Sequence, residues 1–261
     1  MSVTLSPTFV GLLVVVVVVA GAVNGVAGFG FAVVGTMALA TVLDPATAVV
    51  FMIVPILAVN VSLVRDLTAT ELQACGRRFG PLVLAALVGT VVGMAALERV
   101  PEAPLRLGLG IVALAFVASV QNLVPIPGRA GVKERCFVET PLALVGVGGA
   151  SGLLFGGTNV GVQLIAYLRS CDLSHGLFVG VVAMVFLGLN AVRVAAAAAF
   201  GLYPGATVAM ASMAAAVPAV VGVAVGKRFR TSIDEQHRRA VVMGLLSVIG
   251  VRLVLGGLGI A

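Results

Sequence analysis

The chain has 261 residues, of which 61% are hydrophobic and 10% are charged, and its formal net charge is +6. Because about a quarter of the residues of a soluble domain are charged, this composition excludes a soluble globular protein. It indicates an α-helical membrane protein, since the apolar runs have about 20 residues, the length that spans a bilayer as a helix.

Charge-free runs separated by turn residues predict about ten membrane segments. In chain order they are 8–27, 30–43, 46–64, 80–97, 105–124, 140–156, 158–169, 174–200, 205–226 and 240–259. The segments 30–43 and 158–169 are short for a complete crossing, so re-entrant or broken helices remain an alternative there. The predicted fold class is an all-α polytopic membrane protein with eight to ten segments.

The basic residues determine the predicted orientation. Most of the 16 Lys and Arg residues fall in loops that are cytoplasmic when the N-terminus lies outside. Positive charge concentrates in the cytoplasmic loops of membrane proteins, so the net charge does not require a nucleic-acid partner. The chain is predicted to be a multi-pass protein of the cell membrane. Its three cysteines and two histidines form no metal-ligand spacing, and no cofactor is expected.

Four sequence landmarks recur in the same order in the two halves of the chain. The stretch "GAVNGVAGFGFAVVG" from Gly21 resembles "GGASGLLFGGTNVGV" from Gly148, and "TVLDPATA" (41–48) matches "RSCDLSHG" (169–176). Further on, "GTVVGMAAL" (89–97) resembles "GVAVGKRF" (222–229), and "PLRLGLGIVAL" (104–114) resembles "QHRRAVVMGLL" (236–246).

This order predicts two transmembrane repeats, residues 1–128 and 140–261, joined by a cytoplasmic linker at 129–139. Each repeat has about five segments, an odd number, so the two repeats insert with inverted topology. Inverted repeats with glycine-broken helices are typical of secondary transporters, whose substrate site lies near the membrane midplane at the breaks. The alternative is that the glycines only pack helices together.

A helix that breaks inside a membrane and restarts presents free N–H groups and partial positive charge, which favours a bound anion. Neutral hydroxyl and amide side chains accompany both glycine clusters. The candidate substrate-binding residues are Asn24, Gly25, Gly28, Gly30 and Thr36 in the first half and Ser151, Gly156, Gly157, Thr158, Asn159 and Gln163 in the second. For each residue taken singly, helix packing is the alternative role.

Few charged residues lie inside the predicted segments. Arg193, which follows Asn190 in segment 174–200, is a candidate to attract an anion together with that amide, and snorkelling to the interface is the alternative. Asp44 and Asp172 follow the two broken segments, and His175, of a residue type whose unperturbed pKa lies near neutral pH, is close to Asp172 in the sequence. These three residues are candidates for proton coupling, while capping of the next helix is the alternative for the aspartates.

Ser151 in "GASG" (149–152) resembles the motif of intramembrane serine proteases. The required base would be a histidine at the same depth, but His175 and His237 are both predicted at the inner boundary. No enzymatic activity is therefore expected.

The duplicated glycine motif, here "GAVNGVAGFG" and "GGASGLLFGG", resembles that of the sulfite exporter TauE/SafE family, also called 4-toluene sulfonate uptake permeases. Each copy is followed by a helix of small residues and a short acidic turn, "LDPATA" or "CDLSHG". The resemblance covers nearly the whole chain. It implies transport, without ATP, of a small anion such as sulfite, an organosulfonate such as sulfoacetate, or a related carboxylate.

The sequence therefore predicts a secondary transporter of a small anion that is coupled to the proton motive force. An anion channel is the alternative, and an intramembrane enzyme is a more distant one. The expected partners are the small anion and the lipid bilayer, and association into a homodimer stays open.

Overall fold

The computed structural model describes residues 7–27, 30–64, 79–97, 99–120, 141–161, 164, 175–229 and 235–260. Every regular element within these residues is an α-helix, which confirms the predicted all-α fold class. In chain order the helices are α1 (Pro7–Ala27), α2 (Phe31–Leu39), α3 (Pro45–Phe51), α4 (Ile53–Val64), α5 (Gly80–Leu97), α6 (Glu102–Val120), α7 (Pro141–Thr158), α8 (His175–Ala199), α9 (Ala206–Phe229) and α10 (Glu235–Gly257). Their bounds lie within a few residues of the predicted segments, and most of the predicted segment 158–169 falls outside the described residues.

Three helical stretches of the described residues are long and apolar enough to cross a bilayer, namely Pro45–Ser62, Gly80–Leu97 and Ala206–Phe229. Shorter apolar stretches are Val10–Val26, Leu142–Thr158, Met184–Ala199 and Met243–Gly257. Large apolar side chains such as Leu84 and Val88 on α5 and Val217 on α9 are exposed. Contiguous apolar surface of this kind is unfavourable in water and favourable in lipid. The chain is a polytopic membrane protein.

Helix α2 is much shorter than its neighbours. Its nine residues extend for only about 14 Å, roughly half of the hydrocarbon core of a bilayer. The helix begins after Gly30, whose φ of 105° lies in the left-handed region that glycine adopts without steric cost. A turn follows α2, and Asp44 then caps α3, because its Oδ2 accepts a hydrogen bond from the Thr47 backbone N–H at 2.9 Å. The first predicted break in the chain is therefore present.

Helices α3 and α4 are separated only by Met52, where the sequence predicts one continuous segment at 46–64. Pro55 explains the interruption, because proline has no N–H to donate to the carbonyl of Phe51, four residues earlier. The hydroxyl of Ser212 on α9 donates to that carbonyl instead, at 2.6 Å. Such a substitute donor matters within a membrane, where an unpaired carbonyl has no water to bind.

Glycines bring α1 and α9 into backbone contact. Gly21 and Gly25 of α1 face Gly222 and Gly226 of α9, and a Cβ on any of the four would collide with the backbone of the other helix. Small residues at this spacing allow membrane helices to approach closely. Helix packing therefore accounts for the position of Gly25, although the sequence also makes it a candidate for anion binding.

Helices α5 and α7 make the same kind of contact. Gly89 and Gly93 of α5 lie against the backbone of α7, while Gly152 and Gly156 of α7 lie against the backbone of α5. The Thr90 hydroxyl of α5 also donates to the Gly152 carbonyl at 3.2 Å. Elsewhere α6 packs along α10, and α4 contacts both α8 and α9. The end of α7 also contacts α3 and α8.

Candidate functional site

Asn159 joins three parts of the chain at the point where α7 ends. The residue is fully buried and has a φ of 61°, in the left-handed region where asparagine is several-fold enriched. Its Nδ2 donates to Thr36 Oγ1 of α2 at 2.7 Å and to the Val49 carbonyl of α3 at 3.0 Å. The end of α7 is therefore tied to both short helices of the first half of the chain.

The other polar atom of the same amide has no partner. Because a carbonyl oxygen can only accept, the bond to Val49 requires Asn159 to present its Nδ2 there and its Oδ1 elsewhere. Asn159 Oδ1 is buried and has no hydrogen-bond donor among the described residues. An unsatisfied buried acceptor is unfavourable by about 1–3 kcal/mol, which indicates that a donor beyond the described residues pairs with it.

Arg193 of α8 is fully buried close to the same helix end. Its Nη1 donates to Asn190 Oδ1 at 3.3 Å, and its Nη2 donates to the Gly156 carbonyl at 3.4 Å. The guanidinium carbon lies 4.8 Å from the centre of the Phe155 ring, within the range of a cation–π interaction. Asn190 is held in place by donation from its Nδ2 to the Phe186 carbonyl at 2.7 Å. Burial shows that the side chain does not snorkel.

No carboxylate of the described residues pairs with Arg193. Among the described residues, Arg193 is the one charged side chain that is buried, and its Nε has no partner. The carbonyls at the C-terminal end of α7 carry partial negative charge, so they compensate part of the guanidinium charge. A helix end is not a full counter-ion, and a buried charge without one is strongly unfavourable. Within the described residues, the site therefore carries a buried positive charge without a full counter-ion.

Thr36, Gly156, Asn159, Asn190 and Arg193, all of them candidates from the sequence, are brought together here, and we call them the polar cluster. Asn24 has a different place. Its Oδ1 accepts from the backbone N–H of Phe31 at 3.3 Å, so it occupies one of the N–H groups at the start of α2. At the α7 break the described backbone presents a C-terminal helix end to the cluster rather than the N-terminal end that the sequence predicts.

The remaining candidates lie at the helix ends and in packing contacts. Ser151 is buried within α7, and Gly157 lies beside the Gly93 carbonyl of α5. The Thr158 hydroxyl donates to the Leu154 carbonyl at 2.5 Å and accepts from the Val160 N–H at 3.2 Å. Outside the described residues are the candidates Gly28, Gln163 and Asp172, together with the side chain of His175.

Three groups at the site are not among the sequence candidates. The Val49 carbonyl accepts from Asn159, the Phe155 ring faces Arg193, and Phe186 lies 5.1 Å from Phe155 between ring centres. Nothing in a single sequence distinguishes these apolar residues from ordinary core residues. Pro55 is different, because a proline inside an apolar run indicates a freed carbonyl and hence an irregular backbone near a site.

Comparison with known proteins gives one match. Residues 13–253 match the family described as Sulfite exporter TauE/SafE, which covers nearly all of the 261 residues and confirms the resemblance seen in the sequence. No curated protein and no solved structure matches the chain. The family consists of membrane transporters of the sulfite and anion exporter type. On this match, together with the all-helical apolar fold, the chain belongs to the sulfite exporter TauE/SafE family.

Proposed function

We propose that the chain is a secondary transporter that moves a small sulfur oxyanion, an organosulfonate or a related carboxylate across the cell membrane, with the polar cluster as its substrate site. The observation that carries this proposal is the fully buried Arg193, whose hydrogen-bond partners in the described part of the chain are neutral. An anion that binds there supplies the missing counter-charge and loses its own hydration to fixed donors.

The helix contacts support the proposal of two inverted repeats, residues 1–128 and 140–261. The repeat hypothesis makes α1, α4, α5 and α6 equivalent to α7, α8, α9 and α10. If each helix is replaced by its equivalent in the other half, the α1–α9 contact becomes the α7–α5 contact, and the α4–α9 contact becomes the α8–α5 contact; all four are observed. The α4–α8 and α6–α10 contacts each join a helix to its own equivalent. A pseudo-two-fold axis in the membrane plane is the basis of alternating access in such transporters.

Proton coupling is part of the proposal. Asp44 is exposed and caps α3, so its capping role explains its position without a role in transport. Asp172 and His175 remain the other candidates for the coupling group. Uptake into proteoliposomes that depends on an imposed pH gradient supports coupling, and its loss in His175→Gln or Asp172→Asn would identify the group.

The test of the substrate site is sulfite flux in proteoliposomes made with Arg193→Met. Methionine retains an unbranched side chain and removes the charge, so we expect flux to fall about tenfold or more, the range of a lost charged hydrogen bond. Arg252→Met is the matched control, because Arg252 lies exposed on α10 and its removal leaves the site intact. Wild-type flux in a folded Arg193→Met protein would contradict the proposal.

Two alternatives make different predictions in the same proteoliposomes. An anion channel dissipates a gradient but does not concentrate the anion against one, so pH-driven accumulation excludes it. An intramembrane serine enzyme requires Ser151, which is 2% exposed on α7. We expect Ser151→Ala to retain flux and the wild-type protein to resist labelling by serine-directed reagents.

A further inference from the structure

Two buried polar atoms of the polar cluster lack partners, and they differ in kind. Asn159 Oδ1 is a hydrogen-bond acceptor, and Arg193 Nε is a hydrogen-bond donor with a positive charge behind it. A simple anion offers only acceptors, so it would satisfy the arginine and leave the asparagine unpaired. A ligand that satisfies both atoms must therefore offer an acceptor to Arg193 and a donor to Asn159.

Both side chains lie at the last turn of α7, Asn159 as part of it and Arg193 of α8 against it. The Asn159 backbone N–H still donates to the Phe155 carbonyl at 3.0 Å, so Asn159 lies one helical turn above Phe155. Arg193 in turn lies over the Phe155 ring and donates to the Gly156 carbonyl. One small ligand at this helix end is therefore within reach of both side chains.

The orientation of the Asn159 amide is determined by its neighbours. If the amide were rotated by half a turn, Oδ1 would face the Val49 carbonyl oxygen, and two acceptors would repel each other. Nδ2 therefore donates to Thr36 and Val49, and Oδ1 remains an acceptor that needs a donor from outside the described residues. The amide cannot rotate to remove this need without losing both bonds.

The described part of the site has a single positive charge, which restricts the charge of the ligand. Arg193 contributes one positive charge, while its neighbours Asn190, Gly156 and Phe155 are neutral. A monoanion balances this charge, whereas a dianion leaves one negative charge buried without a partner among the described residues. Burial of an unpaired charge is strongly unfavourable.

We propose that the site selects a monoanion that carries a hydrogen-bond donor of its own. Its anionic oxygens accept from Arg193, and its hydroxyl group donates to Asn159 Oδ1. Hydrogen sulfite and hydroxylated sulfonates have this chemistry; the sulfite dianion, sulfate and plain alkyl sulfonates do not. This inference rests on the proposed function, because it specifies which anions the same site binds.

The test compares isethionate with propanesulfonate on the purified full-length protein, by isothermal titration. The two monoanions have the same number of non-hydrogen atoms and differ by a hydroxyl in place of a methyl group. We expect isethionate to bind about ten- to a hundredfold more tightly, the effect of leaving a buried acceptor unpaired. In Asn159→Ala the preference should disappear while propanesulfonate still binds through Arg193. A merely structural role of Asn159 would weaken both ligands equally.

If Asn159→Ala does not fold, the comparison of isethionate with propanesulfonate on the wild-type protein still tests the donor requirement. Titrations with sulfite test the requirement for a monoanion. Sulfite should bind more tightly at acidic pH, where hydrogen sulfite dominates, while the affinity for isethionate stays constant over the same range.

The outcomes separate this inference from the proposed function. Equal binding of isethionate and propanesulfonate, or tighter sulfite binding at alkaline pH, overturns the donor requirement and leaves an anion site in place. A preference for isethionate that survives in Asn159→Ala shows that the acceptor is a different group and also overturns the inference. Failure of sulfite, isethionate and propanesulfonate all to bind the wild-type protein contradicts the proposed function itself.

Discussion

Arg193 has no exposure to solvent, yet its hydrogen-bond partners among the residues that the structure describes are neutral groups. Removal of a guanidinium from water costs roughly several kcal/mol, and a cation–π contact such as the one with Phe155 offsets only part of this, about 2 kcal/mol. Arg252, by contrast, is exposed at the surface of α10. This imbalance at a single residue is why we place the substrate beside Arg193.

Gly25 provides a test of the packing role at one position. Gly25→Ala should destabilise the protein by about 1–3 kcal/mol, because the added methyl group meets the α9 backbone around Val223 and neither helix can move aside locally. The measurement is thermal unfolding in detergent. Gly11→Ala, on the same helix with no heavy atom within 4 Å of the added Cβ, is the control and should be neutral or slightly stabilising. Equal effects of the two substitutions would show that the α1–α9 contact is not tight.

Gly25 and Gly30 also show what a local sequence can and cannot predict. Both come from one glycine-rich stretch, but Gly25 packs against α9 while Gly30 takes the left-handed conformation at a helix break. The cluster of glycines predicts that something other than a regular helix is present. Which glycine does what depends on contacts with residues about 200 positions away, and these are invisible in the local pattern.

The break between α3 and α4 shows how an element is assembled from distant parts. Pro55 removes the donor for the Phe51 carbonyl, and Ser212 of α9 replaces it. A neighbouring carbonyl, that of Val49, accepts from Asn159. The irregular backbone of the first half is thus satisfied by two side chains of the second half, as a membrane interior requires.

A double-mutant cycle tests this account of the break. Ser212→Ala should destabilise the protein by about 1–3 kcal/mol, because it leaves the Phe51 carbonyl unpaired. The loss should be smaller in a Pro55→Ala background, where residue 55 regains an N–H for the same carbonyl. Ser62→Ala is the control, since the Ser62 hydroxyl donates to the carbonyl of Val59 within α4 itself. Additive effects of Ser212→Ala and Pro55→Ala would contradict the coupling.

Helix bounds follow largely from the sequence, and helix interruptions follow less well. The segment predicted at 80–97 corresponds to Gly80–Leu97, because hydrophobic length and charged flanks determine where a membrane helix lies. The segment predicted at 46–64 is interrupted at Met52, since Pro55 has a local effect that average hydropathy does not register. The grouping of Asn159 with Thr36, which are 123 residues apart, depends on tertiary packing alone.

Across the whole molecule, the polar cluster lies where short helices of one half meet α7 and α8 of the other. The bonds from Asn159 to Thr36 and Val49 cross between the halves, and so does the bond from Ser212 to Phe51. If one half moves relative to the other, these hydrogen bonds must break or their partners must move together. Asn159 and Arg193 both belong to the second half, so a ligand bound to them acts on the contact between the halves through the bonds from Asn159 to Thr36 and Val49. Such a ligand shifts the equilibrium between two arrangements of the halves only if it binds one arrangement more tightly.

The most direct test of the central claim is an experimental structure determined with bound selenite, a sulfite analogue whose selenium can be located by anomalous scattering. We predict selenium next to the end of α7, with ligand oxygens within hydrogen-bonding distance of the Arg193 guanidinium and one of them at Asn159 Oδ1. Selenium located elsewhere in the protein, with Arg193 still bound only to Asn190 and the Gly156 carbonyl, would contradict the account.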